Sequence, residues 1–293
     1  MNSIMSIRKA CKLLGHAKST FFQVRNNRMR IEKREEKIRA FILRKVKAIR
    51  KDQPKAGGKK MYKKISQDPD FAKYKIGRDR FFDILRANDL LVKRRKKPVY
   101  TTDSSKWRKQ YPNLVEGLTP TRPEEIFVAD ITYFRIGKGF VYGHLVTDAY
   151  SKKIMGYEVS DNMKATSTLA AMQMAVKNRI YEEALIHHSD RGYQYLSKLY
   201  TDFLKAHKIS ISVTQDGNPY DNAVAERING ILKGEFDFNR TFNNLHHAKQ
   251  LMEKVVKIYN SKRLHWSNHL LTPDQMHKQN KLKIKTYRKD KDE

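Results

Sequence analysis

Three carboxylates draw attention first, because of where each one falls. Asp130 interrupts the apolar run VADITY, between Val128, Ala129 and Ile131. A charge in the middle of a strand that leads into a core is uncommon. Asp190 closes the run ALIHHSD and is followed by Arg191 and Gly192. The C-terminal end of a strand is where open α/β sheets place their ligands. Glu226 opens a helix pattern that begins after Asn222. Each also has an ordinary explanation. Asp130 could lie on the open side of an edge strand, and Asp190 could form a turn before glycine. Glu226 could complement a helix dipole by about 0.3–1 kcal/mol, behind an Asn222 N-cap. Converging at one sheet edge, the three would repel one another unless a proton or a cation intervened. Hard divalent ions take such oxygens and keep room for a substrate phosphate. Two such ions about 3.5–4 Å apart serve in-line phosphoryl transfer.

Other chemistries find less support. His187 and His188 precede Asp190, but no Cys or third His stands at zinc-ligand spacing, and His144 and His246–His247 are equally isolated. Ser189 has no evident base and orienter. No Gly-Lys-Ser/Thr phosphate loop is present, so ATP use is not indicated.

The elements that would position the triad read clearly. EIFVADITYF (125–134), FVYGHLVTDAY (140–150) and KIMGYEVSD (153–161) alternate as strands, with Gly137–Lys138–Gly139 at a hairpin turn. A helix pattern over 164–179 follows, then a strand over 184–190, a helix over 197–208 and a strand over 209–214. After a polar turn comes the helix carrying Glu226, and a last helix pattern runs from about 244 to 260. Three antiparallel strands followed by alternating helices and strands predict a mixed sheet with helices on its faces.

Ahead of this part the composition differs. Residues 1–123 carry 35 Lys and Arg against 11 Asp and Glu, a net of +24, whereas residues 124–293 carry 26 against 20, a net of +6. Such an excess points to a polyanion, nucleic acid first. Residues 6–27 read as two short helices broken at Gly15, a plausible helix-turn-helix. A long amphipathic helix follows over 31–51, with Ile31, Ile38, Phe41, Ile42, Val46 and Ile49 on its apolar face and Pro54 and Gly57–Gly58 ending it. A second two-helix unit spans Met61 to Leu90, and the run KRRKK (93–97) closes it. The expected organisation is a helix-turn-helix with a long basic helix (1–53), a second helix-turn-helix unit (54–97), an extended linker (98–123), a catalytic domain (124–280) and a basic tail (281–293). One cysteine, Cys11, allows no intrachain disulfide, and no apolar run is long enough to span a membrane. The expectation is a soluble, intracellular protein.

Thirty-five residues separate Asp190 from Glu226. This spacing, with the words VADITYF, HHSDRGYQY and DGNPYDNAVAERINGILKGEF around the three carboxylates, resembles the Asp-Asp-Glu triad of retroviral integrases and related transposases. IYNSKRLHWSNHLLTP resembles the family's tail of Tyr-Asn, basic residues, His and Thr-Pro. The nearest branch is that of bacterial insertion sequences whose transposase is encoded in two overlapping frames. SIRKACKLLG and STFF resemble the start of the second-frame product, so the similarity covers nearly the whole chain.

The resemblance implies an α/β fold: a ribonuclease H-like mixed five-stranded sheet flanked by helices, preceded by all-α basic helix-turn-helix units. It implies two Mg2+ ions, with Mn2+ as a substitute, and cleavage and strand transfer at element ends. Asp130, Asp190 and Glu226 map onto the metal-binding triad. Lys233, seven residues after the glutamate, matches a basic position associated with gripping DNA, and Arg227 and Arg191, beside two of the triad carboxylates, are further DNA-contact candidates. The implied partners are double-stranded DNA at element ends and target DNA, further copies of the chain in the synaptic complex, and the first-frame product, with no membrane. The implied location is the bacterial cytoplasm, at the nucleoid. Full-length family members carry a first-frame helix-turn-helix and leucine zipper, and this chain has no sustained leucine heptad. It therefore reads as a second-frame product, a shorter version or a fragment. Two other readings are a ribonuclease H-like nuclease that hydrolyses without joining, and a DNA-binding regulator with an inactive catalytic domain. The intact triad opposes the regulator, and the two basic units oppose a nuclease with no need to choose sites.

Overall fold

The structure, a computed structural model, describes residues 6–92, 111–137, 139–215 and 222–285. The KRRKK run, the first half of the expected linker, the turn before Asn222 and most of the basic tail lie outside the described residues. Two compact units emerge, one from the described residues of Met1–Lys51 and Ala56–Lys93, the other from those of Asp52–Lys55 and Arg94–Glu293.

The first unit is all helical. Ser6 caps α1 (Ile7–Leu13) by accepting from Lys9 N at 3.4 Å. The next element corrects the sequence reading. Instead of a short helix and a separate long one, α2 runs unbroken for 35 residues (Lys18–Asp52). The pair Asn26–Asn27 does not stop it, because asparagine costs only tenths of a kcal/mol in a helix interior and neither Gly nor Pro is present. The second helical unit also differs, with three helices where two were expected: α3 (Gly58–Ile65), α4 (Pro69–Tyr74) and α5 (Arg78–Ala87). What reads as a loop contains α4, begun by Pro69 at its first position and by Asp68, whose carboxylate accepts from Asp70 N at 2.9 Å. One core closes the unit: Ile38, Phe41, Ile42 and Val46 of α2 pack with apolar residues of α3, α4 and α5.

The second unit is built on β1 (Ile126–Ile136), β2 (Gly139–Asp148), β3 (Ile154–Ser160), β4 (Ile186–Ser189) and β5 (Ser210–Val213). They form one sheet in the order β3-β2-β1-β4-β5, antiparallel from β3 to β1 and parallel from β1 to β5. This is the mixed five-stranded sheet expected from the sequence. Between β3 and β4 lies α6 (Ala165–Lys177). Between β4 and β5 lie a short α7 (Tyr193–Leu196) and α8 (Lys198–Ala206). After β5 come α9 (Ala223–Glu235), α10 (Leu245–Lys262) and α11 (Pro273–His277).

Strand alternation sends Phe134, Val141, Leu145 and Val159 to a core shared with α9 and α10. Phe127, Ala129, Val146 and Met155 go to a core shared with α6 and α8. The second contact requires Gly156, where an added Cβ would stand 2.0 Å from the Ala171 carbonyl oxygen of α6. Among the described residues, no helix is long and apolar enough to cross a membrane.

Candidate active site

The parallel register of β1 and β4 prepares the site. Ile126 pairs with Ile186, Phe127 with His187 and Val128 with His188, and there the ladder ends. Carried two residues further, the same register sets Asp130 opposite Asp190, where the strands have parted and left the outer side of β1 open. Asp130 is not on an edge strand, because β1 is the central strand of the sheet, but the ordinary reading of Asp190 is partly right: it forms a turn, its Oδ1 accepting from Gly192 N at 2.9 Å. A Cβ at 192 would meet that same Oδ1 and Gln194 Oε1, each at 2.9 Å, so a larger residue there would displace these side chains.

Asp130 is held from two sides. Its Oδ1 accepts from Ile131 N at 2.8 Å, and its Oδ2 accepts from Asn229 Nδ2 at 2.6 Å. Burial, then the charge of Asp190, pushes the Asp130 carboxyl up to about 7, and Glu226 adds the smallest push of those acting on it. Burial also raises Asp190, against the pull of the Gly192 N–H, and raises Glu226. Behind the aspartates, the buried Tyr195 phenol is raised well above its ordinary value by burial and by both carboxylates.

Helix α9 delivers the third carboxylate. Glu226, Asn229 and Lys233 follow one another at three and four residues along one face. Asn222 precedes the helix as expected, but its side chain makes no capping bond. Its Nδ2 instead donates to Ala129 O at 3.0 Å, pinning the helix start to β1 next to Asp130. The strand's open edge leaves that carbonyl without a ladder partner, and a buried carbonyl must be satisfied. Lys233 lies with its Nζ 4.4 Å from the Tyr133 ring centre. Burial lowers its pKa, and the charge of Asp130 opposes that shift.

The structure therefore brings Asp130 and Asp190 into each other's field, with Glu226 on the facing helix contributing more weakly. The donors are all carboxylate oxygens, raised first by burial, and oxygen donors of this kind are what hard cations take. Among the described residues, no three His, Cys, Asp or Glu side chains are gathered closely enough to hold an ion together. The set fits a divalent ion in chemistry and lacks one carboxylate in position. Arg227 is exposed beside Glu226, and Arg191 Nε donates to Thr214 O at 2.8 Å. The histidines before Asp190 are buried in hydrogen bonds, His187 Nε2 with Tyr200 OH at 2.9 Å and His188 Nδ1 with Ser212 Oγ at 2.8 Å. Asn229 and Tyr195 went unnoticed in the sequence. The one signal for Asn229 was its place three residues after Glu226, on the same face.

Residues 120–219 match the integrase core domain family, and a second integrase core domain description matches residues 207–273. The chain belongs to the insertion-sequence transposases of the integrase superfamily. An insertion element IS600 uncharacterized 31 kDa protein from Shigella sonnei is 33% identical over 192 residues, 65% of this chain and 71% of that protein. The transposase for insertion sequence element IS629, also from Shigella sonnei, is 36% identical over 143 residues, 49% of this chain and 48% of the transposase. A putative transposase for IS986/IS6110 from Mycobacterium tuberculosis is 41% identical over 121 residues, 40% of this chain and 44% of that protein. The chain thus spans less than half the length of these two transposases. Among solved structures, the HTLV-2 integrase catalytic core domain in complex with magnesium aligns over 53% of this chain and 97% of its own, at 19% identity and a TM-score of 0.42.

Proposed function

We propose that the protein is a DNA transposase that binds the ends of its insertion sequence, cleaves phosphodiesters there and joins the freed ends to other DNA. One observation carries the reading. In a chain of the integrase superfamily, Asp130 and Asp190 stand at the parting of two parallel strands, and burial, then the charge of Asp190, drives Asp130 up to about 7. Asp130, Asp190 and Glu226 would hold two Mg2+ ions, for which Mn2+ would substitute, and such ions would supply Lewis-acid stabilisation for phosphoryl transfer. The protein's own groups fix the arrangement. Asn229 and the Ile131 N–H orient Asp130, the Gly192 N–H orients Asp190, and Asn222 anchors the helix that carries Glu226. Lys233 supplies a cation for a phosphate beside Asp130. In each step a water or a DNA 3′-hydroxyl forms a new bond to phosphorus, and the bond to the leaving oxygen breaks.

The basic N-terminal part, with its net charge of +24 over residues 1–123, is the part suited to gripping the double-stranded ends. Target DNA, further copies of this chain and the first-frame product complete the expected partners. Incubation with end-bearing DNA and Mg2+ tests the reading. Cleaved and joined products should both form. Asp130→Asn should abolish both while end binding persists, and an Asp130→Asn protein that still joins strands would overturn the assignment. Cleavage without any joining would instead identify a nuclease.

A further inference from the structure

Beyond Asp130, β1 carries a second feature that the proposed chemistry leaves unused. Phe134 turns inward and is 1% exposed, whereas Tyr133 is 55% exposed and Phe140, across the hairpin, is 45% exposed. Tyr133 pairs with Tyr142 and Arg135 with Phe140, so alternation places these four on one face of the hairpin. The Tyr133 and Phe140 rings meet edge to face, their centroids 5.4 Å apart and their planes at 88°. Lys233 reaches the same spot from α9, with Nζ 4.4 Å from the Tyr133 ring centre. No acidic side chain is among these five residues.

Two large rings left in solvent at the end of a strand contribute nothing to either sheet core, and an edge-to-face pair keeps ring surface open for stacking. Aromatic faces flanked by cations bind single-stranded nucleic acid, the rings taking bases and the cations phosphates. A second copy of the chain fits this surface less well, since a protein of net charge +30 would bring like charges together here. Tyr133 lies three residues from Asp130, roughly 10 Å along the strand, and alternation turns the two side chains to opposite faces, so a DNA strand would reach both by crossing the side of β1 left open beyond Val128.

We infer that the Tyr133–Phe140 ledge receives an unpaired nucleobase of the DNA strand whose phosphate lies at Asp130 and Asp190, with Lys233 and Arg135 on the neighbouring phosphates. The inference rests on the transposase reading. It assigns to this hairpin the holding of a strand that has left the duplex beside the reacting bond.

The test measures binding of the full chain, without divalent ions, to end-bearing duplexes that are either blunt or carry a short single-stranded overhang containing 2-aminopurine. The overhang should tighten binding by about tenfold, the effect of stacking one base, and the probe's emission should be quenched on binding. Tyr133→Ala combined with Phe140→Ala should remove the overhang preference and the quenching while leaving blunt-duplex affinity unchanged, and Tyr133→Phe should retain both. Unquenched emission with the unaltered protein overturns the inference whatever the variants do. So does a variant that loses self-association rather than overhang preference, which would mark the hairpin as an interface between copies. Joining that depends on Asp130 without any overhang preference would sink the ledge alone. An overhang preference without such joining would sink the transposase reading instead.

Discussion

The helical unit and the sheet-bearing unit deploy their apolar and charged residues in opposite ways. In α2, every residue from 23 to 37 is exposed, Val24 and Ile31 among them at 62% and 60%, and burial begins only at Ile38. A lone helix of that length is marginal in water, so this stretch is held by propagation from its packed end. In the sheet-bearing unit both faces are covered, and charge lies inside. Glu124, Asp148 and His277 are all fully buried. His277 Nε2 is 3.1 Å from Glu124 and its Nδ1 is 3.4 Å from Asp148, while Ser151 Oγ lies 3.0 Å from Nδ1. One unit presents cationic and apolar surface outward. The other internalises charge where partners compensate it and reserves uncompensated carboxylates for the site.

The largest effect that can break this contrast is expected at His277. His277→Ala leaves Glu124 and Asp148 buried without their shared partner and should cost about 3–5 kcal/mol. Chemical denaturation should show the loss in the sheet-bearing unit only; a shift in both units would refute their independence. The pH dependence follows from the same cluster. Burial pushes His277 down, but Asp148 and Glu124 outweigh it and raise its pKa. Its contribution is therefore complete below the ordinary histidine value of about 6.5 and fades as pH rises through the raised value. Burial pushes Glu124 up, but hydrogen bonds from His277, the Ile180 N–H and Arg179 outweigh it and lower its pKa. Its contribution is present above the ordinary carboxylate range and is lost as pH falls through the lowered value. Stability should peak between these limits, and His277→Ala should remove the alkaline decline.

Next in size is Ile38→Ala, at the buried end of α2, with an expected cost of about 2–4 kcal/mol seen as a lower denaturation midpoint of the helical unit. Asn229→Ala should reduce strand joining by about 10–100-fold, the usual range for a group that orients a ligand, with the thermal midpoint nearly unchanged. An activity within twofold of the parent would remove Asn229 from the positioning set. Lys233→Ala should flatten the salt dependence of end binding by about 0.9 in logarithmic slope, one phosphate contact, and an unaltered slope would place Lys233 outside the interface. The smallest effect belongs to Ile31→Ser on the exposed stretch of α2, below about 0.5 kcal/mol. A larger loss would mean that this stretch packs against something in solution.

The strands were legible because β1, β2 and β3 alternate cleanly, and the flanking helices because their apolar positions recur at helical spacing. Asp130 and Asp190 were legible from where they fall in their strand patterns, whereas grouping them with Glu226 leaned on the spacing and words shared with a known family. What escaped was decided by tertiary contacts. Asn222 looks like a helix cap, and the open edge of β1 redirected its amide to Ala129. Asn229 looks like any polar residue on a helix, and only the fold shows Asp130 within its reach. The short α4 and the unbroken α2 escaped because Asp-Pro reads as a turn and paired asparagines read as a break. His277 carried no local signal at all, since its partners lie 129 and 153 residues upstream.

The hydrogen bond that the Asn229 amide donates to Asp130 spans 99 residues, and the one from the Asn222 amide to Ala129 O spans 93. On a ribosome moving at roughly 5–20 residues per second, at least about five seconds separate the synthesis of Asp130 from that of the residue that orients it. The helical unit, by contrast, is finished before Asp130 is made. A chain interrupted between Asp190 and Asn222 would own its basic helices and both aspartates but neither the helix that carries Glu226 nor the amides of Asn222 and Asn229.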